Sequence, residues 1–185
     1  MLFYSEIKPL YLQNIGYLAE QIDLYLSYEN IGCCWYGVGK PDHSTMDGDL
    51  AYVIMLVFAK QPEQLFRKDV SKASRLPLTD IYSGSRFRHI VQHCRYAPSA
   101  CNTQPWRVED LKNGLAVYRV FRKRGIMKKN LVAYYHQIDL GIFLLFLDLS
   151  LEHEQLYYER VLYEDEYREE SGSLTARYAI GMDAS

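Results

Sequence analysis

Ala97-Pro98-Ser99-Ala100-Cys101-Asn102-Thr103-Gln104-Pro105-Trp106 is the stretch on which the reading of this 185-residue chain turns. Pro98 and Ser99 stop the helical pattern before them, and Pro105 is expected to hold Gln104 extended. Between these stops, Asn102 and Gln104 offer amide donors and acceptors. Such a loop can dock a heterocycle through backbone and amide contacts. A polar helix-to-strand turn ending in a buried Trp fits the same residues, with Asn102 capping the turn through its side chain.

Outside the loop, bulk properties narrow the function. With 49% hydrophobic residues the chain can bury a proper core as one ordinary domain or two small ones. A net charge of -2 gives no general attraction to nucleic acid or an anionic membrane, so a polyanion site requires local clustering. One cluster exists, at Arg119, Arg122, Lys123, Arg124, Lys128 and Lys129, and the last third carries Glu152, Glu154, Glu159, Glu164, Asp165, Glu166, Glu169 and Glu170. Two solvated faces are the plain reading, and a docking patch for a nicotinamide phosphate is the sharper one.

The cysteines are Cys33, Cys34, Cys94 and Cys101, without a CxxC pair or a secretory leader pattern, so a cytoplasmic protein with reduced thiols is expected. His89 and His93 lie one helical turn apart, yet no third and fourth ligand follow at metal-site spacing. Leu140 to Leu147 is an apolar run bracketed by Asp139 and Asp148, which reads as a buried helix rather than a membrane span.

Two helical patterns match one another. Ile15, Leu18, Ala19, Ile22, Tyr25 and Leu26 recur at helical spacing around Gly16, as do Leu140, Phe143, Leu144, Leu147 and Leu151 around Gly141. A shift of 125 residues (141 minus 16) also pairs Asp23 with Asp148, and the strand-like Leu50 to Ala59 sits at nearly the same offset from Leu174 to Met182. A duplication is therefore expected, with residues 1–60 as the back half of one copy, 61–76 as a connector and 77–185 as a second copy, all in one compact domain. The front half of the first copy has no counterpart, which predicts exposed apolar surface near Met1 and oligomerisation.

The element reading is a strand at Leu2–Glu6, helix Ile15–Tyr28, strand Tyr52–Ala59, helix Phe87–Tyr96, strands at Trp106–Val108 and Leu115–Phe121, helix Asp139–Tyr158 and strand Leu174–Gly181. Helices and strands mix without βαβ alternation, which predicts an α+β three-layer fold, with central helices packed on a mostly antiparallel sheet. Trp35 and Trp106 are expected as core or wall aromatics with partners for their indole N–H, and Tyr157, Tyr158, Tyr163 and Tyr167 as one face of a late helix.

The 97–106 run closely resembles the APSxxNxQPW signature of the nitroreductase family. Ile31 to Gly37 resembles the helix end and loop that pass beside the isoalloxazine ring in that family, and Lys72, Arg75, Leu76, Pro77 and Leu78 resemble the segment near its flavin phosphate. The two unequal copies are similar to internally duplicated members, in which one chain mimics the usual homodimer. The resemblance implies a nitroreductase-like fold and an FMN site of Pro98, Ser99, Asn102 and Gln104 from copy two with Tyr36, Gly37, Lys72 and Arg75 from copy one.

It further implies electron transfer from NAD(P)H to a nitroaromatic or quinone-like acceptor, with the cofactor carrying the chemistry and no catalytic acid or base assigned. A homodimer is a possible assembly. Two departures stand out. The family's Arg-Arg-Ser-like phosphate motif has no counterpart, Arg86 and Arg88 being too close to the Asn102 loop, and Tyr36 stands where an acidic or small residue is common. They motivate the alternative of a degenerate member with weak or no flavin binding and a structural or interaction role. Thiol chemistry at Cys33-Cys34 is a third reading.

Overall fold

The computed structural model describes residues 1–42, 49–125, 127–164 and 172–181. Asp165, Glu166, Tyr167, Glu169, Glu170 and Met182, used above, lie outside the described residues. In chain order the elements are β1 (Leu2–Ser5), α1 (Tyr11–Tyr28), β2 (Ile31–Tyr36), β3 (Ala51–Lys60), α2 (Leu78–Ile81), β4 (Tyr82–Ser83), α3 (Arg88–Cys94), β5 (Trp106–Leu111), β6 (Gly114–Arg119), α4 (Lys129–His153), β7 (Tyr157–Leu162) and β8 (Ser173–Gly181). The fold is α+β, with two sheets, β1-β3-β2 and β4-β5-β6-β8-β7, antiparallel except for the β4–β5 pair.

α1 and α4 pack against each other at the centre, and glycines permit it. A Cβ on Gly16 would lie 2.1 Å from the Ile138 carbonyl oxygen, and one on Gly141 2.0 Å from that of Gln13. Both helices end alike. Asn30 (φ 57°) follows α1 and Gln155 (φ 56°) follows α4 in the left-handed conformation that releases a chain from a helix. After α4 the Leu156 N–H also reaches back to the Leu151 carbonyl at 3.0 Å, a Schellman closure.

Each central helix then feeds an edge strand, and here two expectations are corrected. Ile31–Tyr36, expected as a helix end and loop, is β2, paired with Lys60 to Met55. The late helix stops at His153 rather than Tyr158, so Tyr157 and Tyr158 belong to β7 and Tyr163 follows it. Along β7 exposure alternates residue by residue, the period of a strand and not of a helix.

The orders β1-β3-β2 and β6-β8-β7 are the same in strand sense as well as position. Each outer pairing slips register once, at Phe3/Tyr4 in β1 and at Val117/Tyr118 in β6, against Ile54/Tyr52 and Ala176/Leu174. Trp35 donates to Asp23 (2.9 Å), as Arg160 does to Asp148, both pairs twelve residues apart. The second sheet continues past β6 into β5 and β4, whereas β1 is an edge. The matching edge and the matching helix face are bare, with Leu18, Tyr25 and Tyr28 exposed on α1.

One core joins these parts, from Leu12, Ile15, Val53 and Ile54 to Val108, Leu140, Phe143 and Tyr178. Trp106 is fully buried and stacks on Phe143 with centroids 4.8 Å apart, which seats the end of the 97–106 loop. Among the described residues its indole Nε1 has no acceptor, contrary to expectation, whereas that of Trp35 has Asp23. α4 is long and apolar enough to cross a membrane by length and composition, but 67% of that window is buried inside the protein. Both of its aspartates, Asp139 and Asp148, are buried and bonded to other elements. This is the pattern of a core helix.

Candidate functional site

The 97–106 loop is held open by a strained backbone and a buried carboxyl. Cys101, Asn102 and Gln104 all take positive φ (50°, 54° and 50°), so Gln104 is not the extended residue expected before Pro105. Three such non-glycine residues in four positions require outside support. Asp139, from the middle of α4, accepts from the Ala100 N–H (2.9 Å) and lies 3.5 Å from the Thr103 hydroxyl, while Ser99 Oγ accepts from the Gln104 N–H (2.9 Å). Burial pushes the Asp139 carboxyl up to about 8, against the pull of its two donors.

The connector 74–76 lies across this loop. Asn102 donates to the Ser74 carbonyl (2.9 Å) and accepts from Arg75 Nη1 (3.2 Å), and Gln104 Oε1 accepts from the Leu76 N–H (2.8 Å). From the other side Arg124 donates to the Asn102 carbonyl (3.3 Å) and Arg122 to the Gln104 carbonyl. Arg122 and Arg124 are thus loop clamps rather than members of a free basic face. Arg122 is half-buried, and that burial holds its guanidinium below its ordinary value.

A third segment arrives through Tyr135 of α4. Its hydroxyl donates to the Gly37 carbonyl (2.5 Å), and a Cβ on Gly37 would meet the Tyr135 ring at 2.9 Å. Burial raises the Tyr135 phenol, and the nearby Cys101 raises it further. Of the expected site residues, Asn102, Gln104, Arg75 and Ser99 form one hydrogen-bonded unit, while Gly37 is bonded to Tyr135 of α4. Pro98 is half-buried at the start of the loop, Tyr36 is 46% exposed, and Lys72 is exposed at the end of a short 3-10 turn with no bond to the loop.

The sequence reading gave Tyr135 no role, Asp139 only that of a carboxylate bracketing an apolar helical run, and Arg122 and Arg124 only membership of the basic cluster. Arg86 bonds the carbonyl of Lys112 (3.0 Å) and that of Leu111, so it holds the β5–β6 turn. Cys33, Cys34, Cys94 and Cys101 are all unpaired, and burial followed by Asp23 pushes the Cys33 thiol up to about 12, the opposite of activation. Among the described residues no group of three or more His, Cys, Asp or Glu is placed to hold a metal ion, and His89 instead faces Glu154 at 3.8 Å.

The family model described as "Putative TM nitroreductase" matches residues 1–151. This chain belongs to that nitroreductase family. Among solved structures, the crystal structure of a putative nitroreductase from Thermotoga maritima is similar over 96% of this chain and 69% of its own, with a TM-score of 0.64 and 22% sequence identity. That likeness carries the nitroreductase-like fold. No curated protein matches the chain. Membership of the nitroreductase family points to an oxidoreductase, and the family is generally flavin-dependent.

The side chains and carbonyls of Asn102 and Gln104 already bond Ser74, Arg75, Leu76, Arg122 and Arg124, and the Tyr135 ring fills the space beside Gly37, so the observation that fits a flavin phosphate is the buried Nε–H of Arg75, which has no acceptor among the described residues. An orphaned guanidinium donor beside an amide-rich loop suits a ligand carrying a phosphate.

Proposed function

We propose that this chain is an FMN-dependent oxidoreductase that passes electrons from NAD(P)H to nitroaromatic or quinone-like acceptors. The observation that supports the reading is the bonding of two of the motif segments to one another, Asn102 to Ser74 and Arg75 and Gln104 to Leu76, while the third segment, at Gly37, is bonded to Tyr135 of α4. Pro98, Ser99, Asn102 and Gln104 line one side of the site, Tyr36 and Gly37 another, and Lys72 and Arg75 serve the phosphate. Bound FMN supplies hydride acceptance and onward electron transfer. The chain's own residues bind and orient it: Asn102 and Gln104 through amide and backbone groups, Arg75 by charge, Tyr135 by fixing the Gly37 carbonyl.

The matching strand orders, register slips and helix ends support the division into a repeat at 1–60, a connector at 61–76 and a repeat at 77–185. The bare β1 edge and the exposed apolar face of α1 support a homodimer. Four unpaired cysteines agree with a cytoplasmic protein.

The test is the visible spectrum of the purified protein with an FMN titration. Saturation at one FMN per chain, weakened at least about tenfold by Asn102→Ala, is expected and opens the way to NAD(P)H oxidation assays. A colourless protein indifferent to excess FMN overturns the reading in favour of a structural role.

A further inference from the structure

A cavity of about 230 Å³ opens at the start of α1, and none of the residues that line it belongs to the three motif segments. Ile7, Pro9, Leu10 and Tyr11 give it apolar walls, Gln13 and Gln137 contribute amides, and Lys8 and Glu164 bring one charge of each sign. Pockets for drug-sized ligands run to about 300–1,000 Å³, so this one suits a smaller molecule.

Two kinds of polar group in it are unmet. Leu10 precedes α1 in the left-handed conformation (φ 64°), and no side chain caps the helix. The Tyr11 N–H bonds the Lys8 carbonyl (3.2 Å) and the Asn14 N–H that of Leu10 (2.9 Å), which leaves the Leu12 and Gln13 N–H groups without an acceptor among the described residues. The first turn also lacks an acidic side chain, so nothing on the helix itself offsets the positive end of its dipole. The second unmet group is an acceptor. Gln13 is 3% exposed and donates through Nε2 to Gln137 Oε1 (2.7 Å), while its own Oε1 is buried without a donor among the described residues. A buried amide oxygen left unmet bears its full desolvation cost, and native chains seldom keep one without a partner.

The combination of these groups selects the ligand. An inorganic anion would satisfy the N–H groups but oppose both Gln13 Oε1 and the Glu164 carboxylate, and a simple cation would do the reverse. A molecule that carries a carboxylate and an ammonium on one carbon meets both sets. We propose that this cavity binds a free α-amino acid with an apolar side chain. Its carboxylate accepts from the Leu12 and Gln13 N–H groups at the helix start, with Lys8, itself ion-paired with Glu6, in the same lining. Its ammonium donates to Gln13 Oε1 and to Glu164, and its side chain lies against Ile7, Pro9 and Leu10.

Calorimetry on the intact protein compares L-leucine and L-phenylalanine with N-acetyl-L-leucine, which lacks the ammonium, and L-leucinamide, which lacks the carboxylate. Saturable binding of L-leucine or L-phenylalanine at one per chain is expected, weakened at least about tenfold by either blocking group. Gln13→Met and Glu164→Gln should each weaken it by about tenfold or more, while Glu29→Gln, at an exposed carboxylate past the other end of α1, should leave it within about twofold. Circular dichroism and Tm establish that the variants fold. Should Gln13→Met fail to fold, Glu164→Gln decides alone, because its side chain is exposed.

The absence of saturable binding of either amino acid up to about 10 mM overturns the site. So does equal affinity for the blocked compounds, or an affinity unchanged in Glu164→Gln. FMN takes no part in these titrations, so their outcome is independent of the flavin reading.

Discussion

Gly16 and Gly141 hold the two central helices at backbone contact, each against the partner of the other: Gly16 faces Ile138, and Gly141 faces Gln13, three residues before Gly16 just as Ile138 is three before Gly141. A methyl group at either position would fall within 2.1 Å of a carbonyl oxygen. Neither backbone can yield as a flexible side chain would. Gly16→Ala and Gly141→Ala are each expected to destabilise the fold by about 1–3 kcal/mol or more in urea unfolding. The double variant should cost less than the sum, since the first methyl already separates the helices. Gly181→Ala, where an added Cβ meets nothing within 4 Å, should be close to neutral.

Asp148 ties α4 to three elements. It accepts from Tyr178 (2.7 Å), Tyr17 (2.9 Å) and Arg160 while 2% exposed. Burial pushes its carboxyl up, and those donors pull it back. Asp148→Asn leaves the Arg160 charge without its partner and should cost about 3 kcal/mol. Tyr178→Phe, which removes one donor, should cost about 1 kcal/mol in the same denaturation assay.

Glu20 predicts a pH dependence. It is 2% exposed on α1, its Oε2 has no partner among the described residues, and burial followed by the Asp23 charge pushes its carboxyl up to about 9. The folded chain then holds a proton that the unfolded chain has released above roughly pH 4.5, so stability falls as pH rises from there to about 9 and falls no further beyond. Glu20→Leu places on α1 the residue type that α4 carries at the matching Leu145. Its stability advantage over the wild type should grow by at least about 1 kcal/mol between pH 5 and pH 9.

Asp139 titrates in the same direction, with a value of about 8, and its role is to hold the 97–106 loop. Asp139→Asn keeps an acceptor for the Ala100 N–H and should leave the loop in place. Asp139→Ala removes it, and hydrogen exchange at the Ala100 amide should accelerate by about tenfold or more. FMN affinity should weaken in the alanine variant and not in the asparagine one.

The sequence by itself was enough for the parts whose physics is local or periodic. Ile15 to Leu26 and Leu140 to Leu151 repeat at helical spacing over several turns, so both central helices were legible, and so were β3 and β8. The 97–106 motif marked the loop that Asp139, Arg122 and the connector converge on. Six-residue strands beside a helix end carry too little pattern of their own. Tyr157 and Tyr158 continue the apolar rhythm of α4, and only the left-handed Gln155 and pairing with β8 turn them into a strand. Tertiary structure alone decided what each site group touches. Asn102 meets Ser74 and Arg75 across 27 or 28 residues, and Tyr135 meets Gly37 across 98. Such contacts depend on how separate elements meet, and the sequence near each residue has no pattern that encodes them.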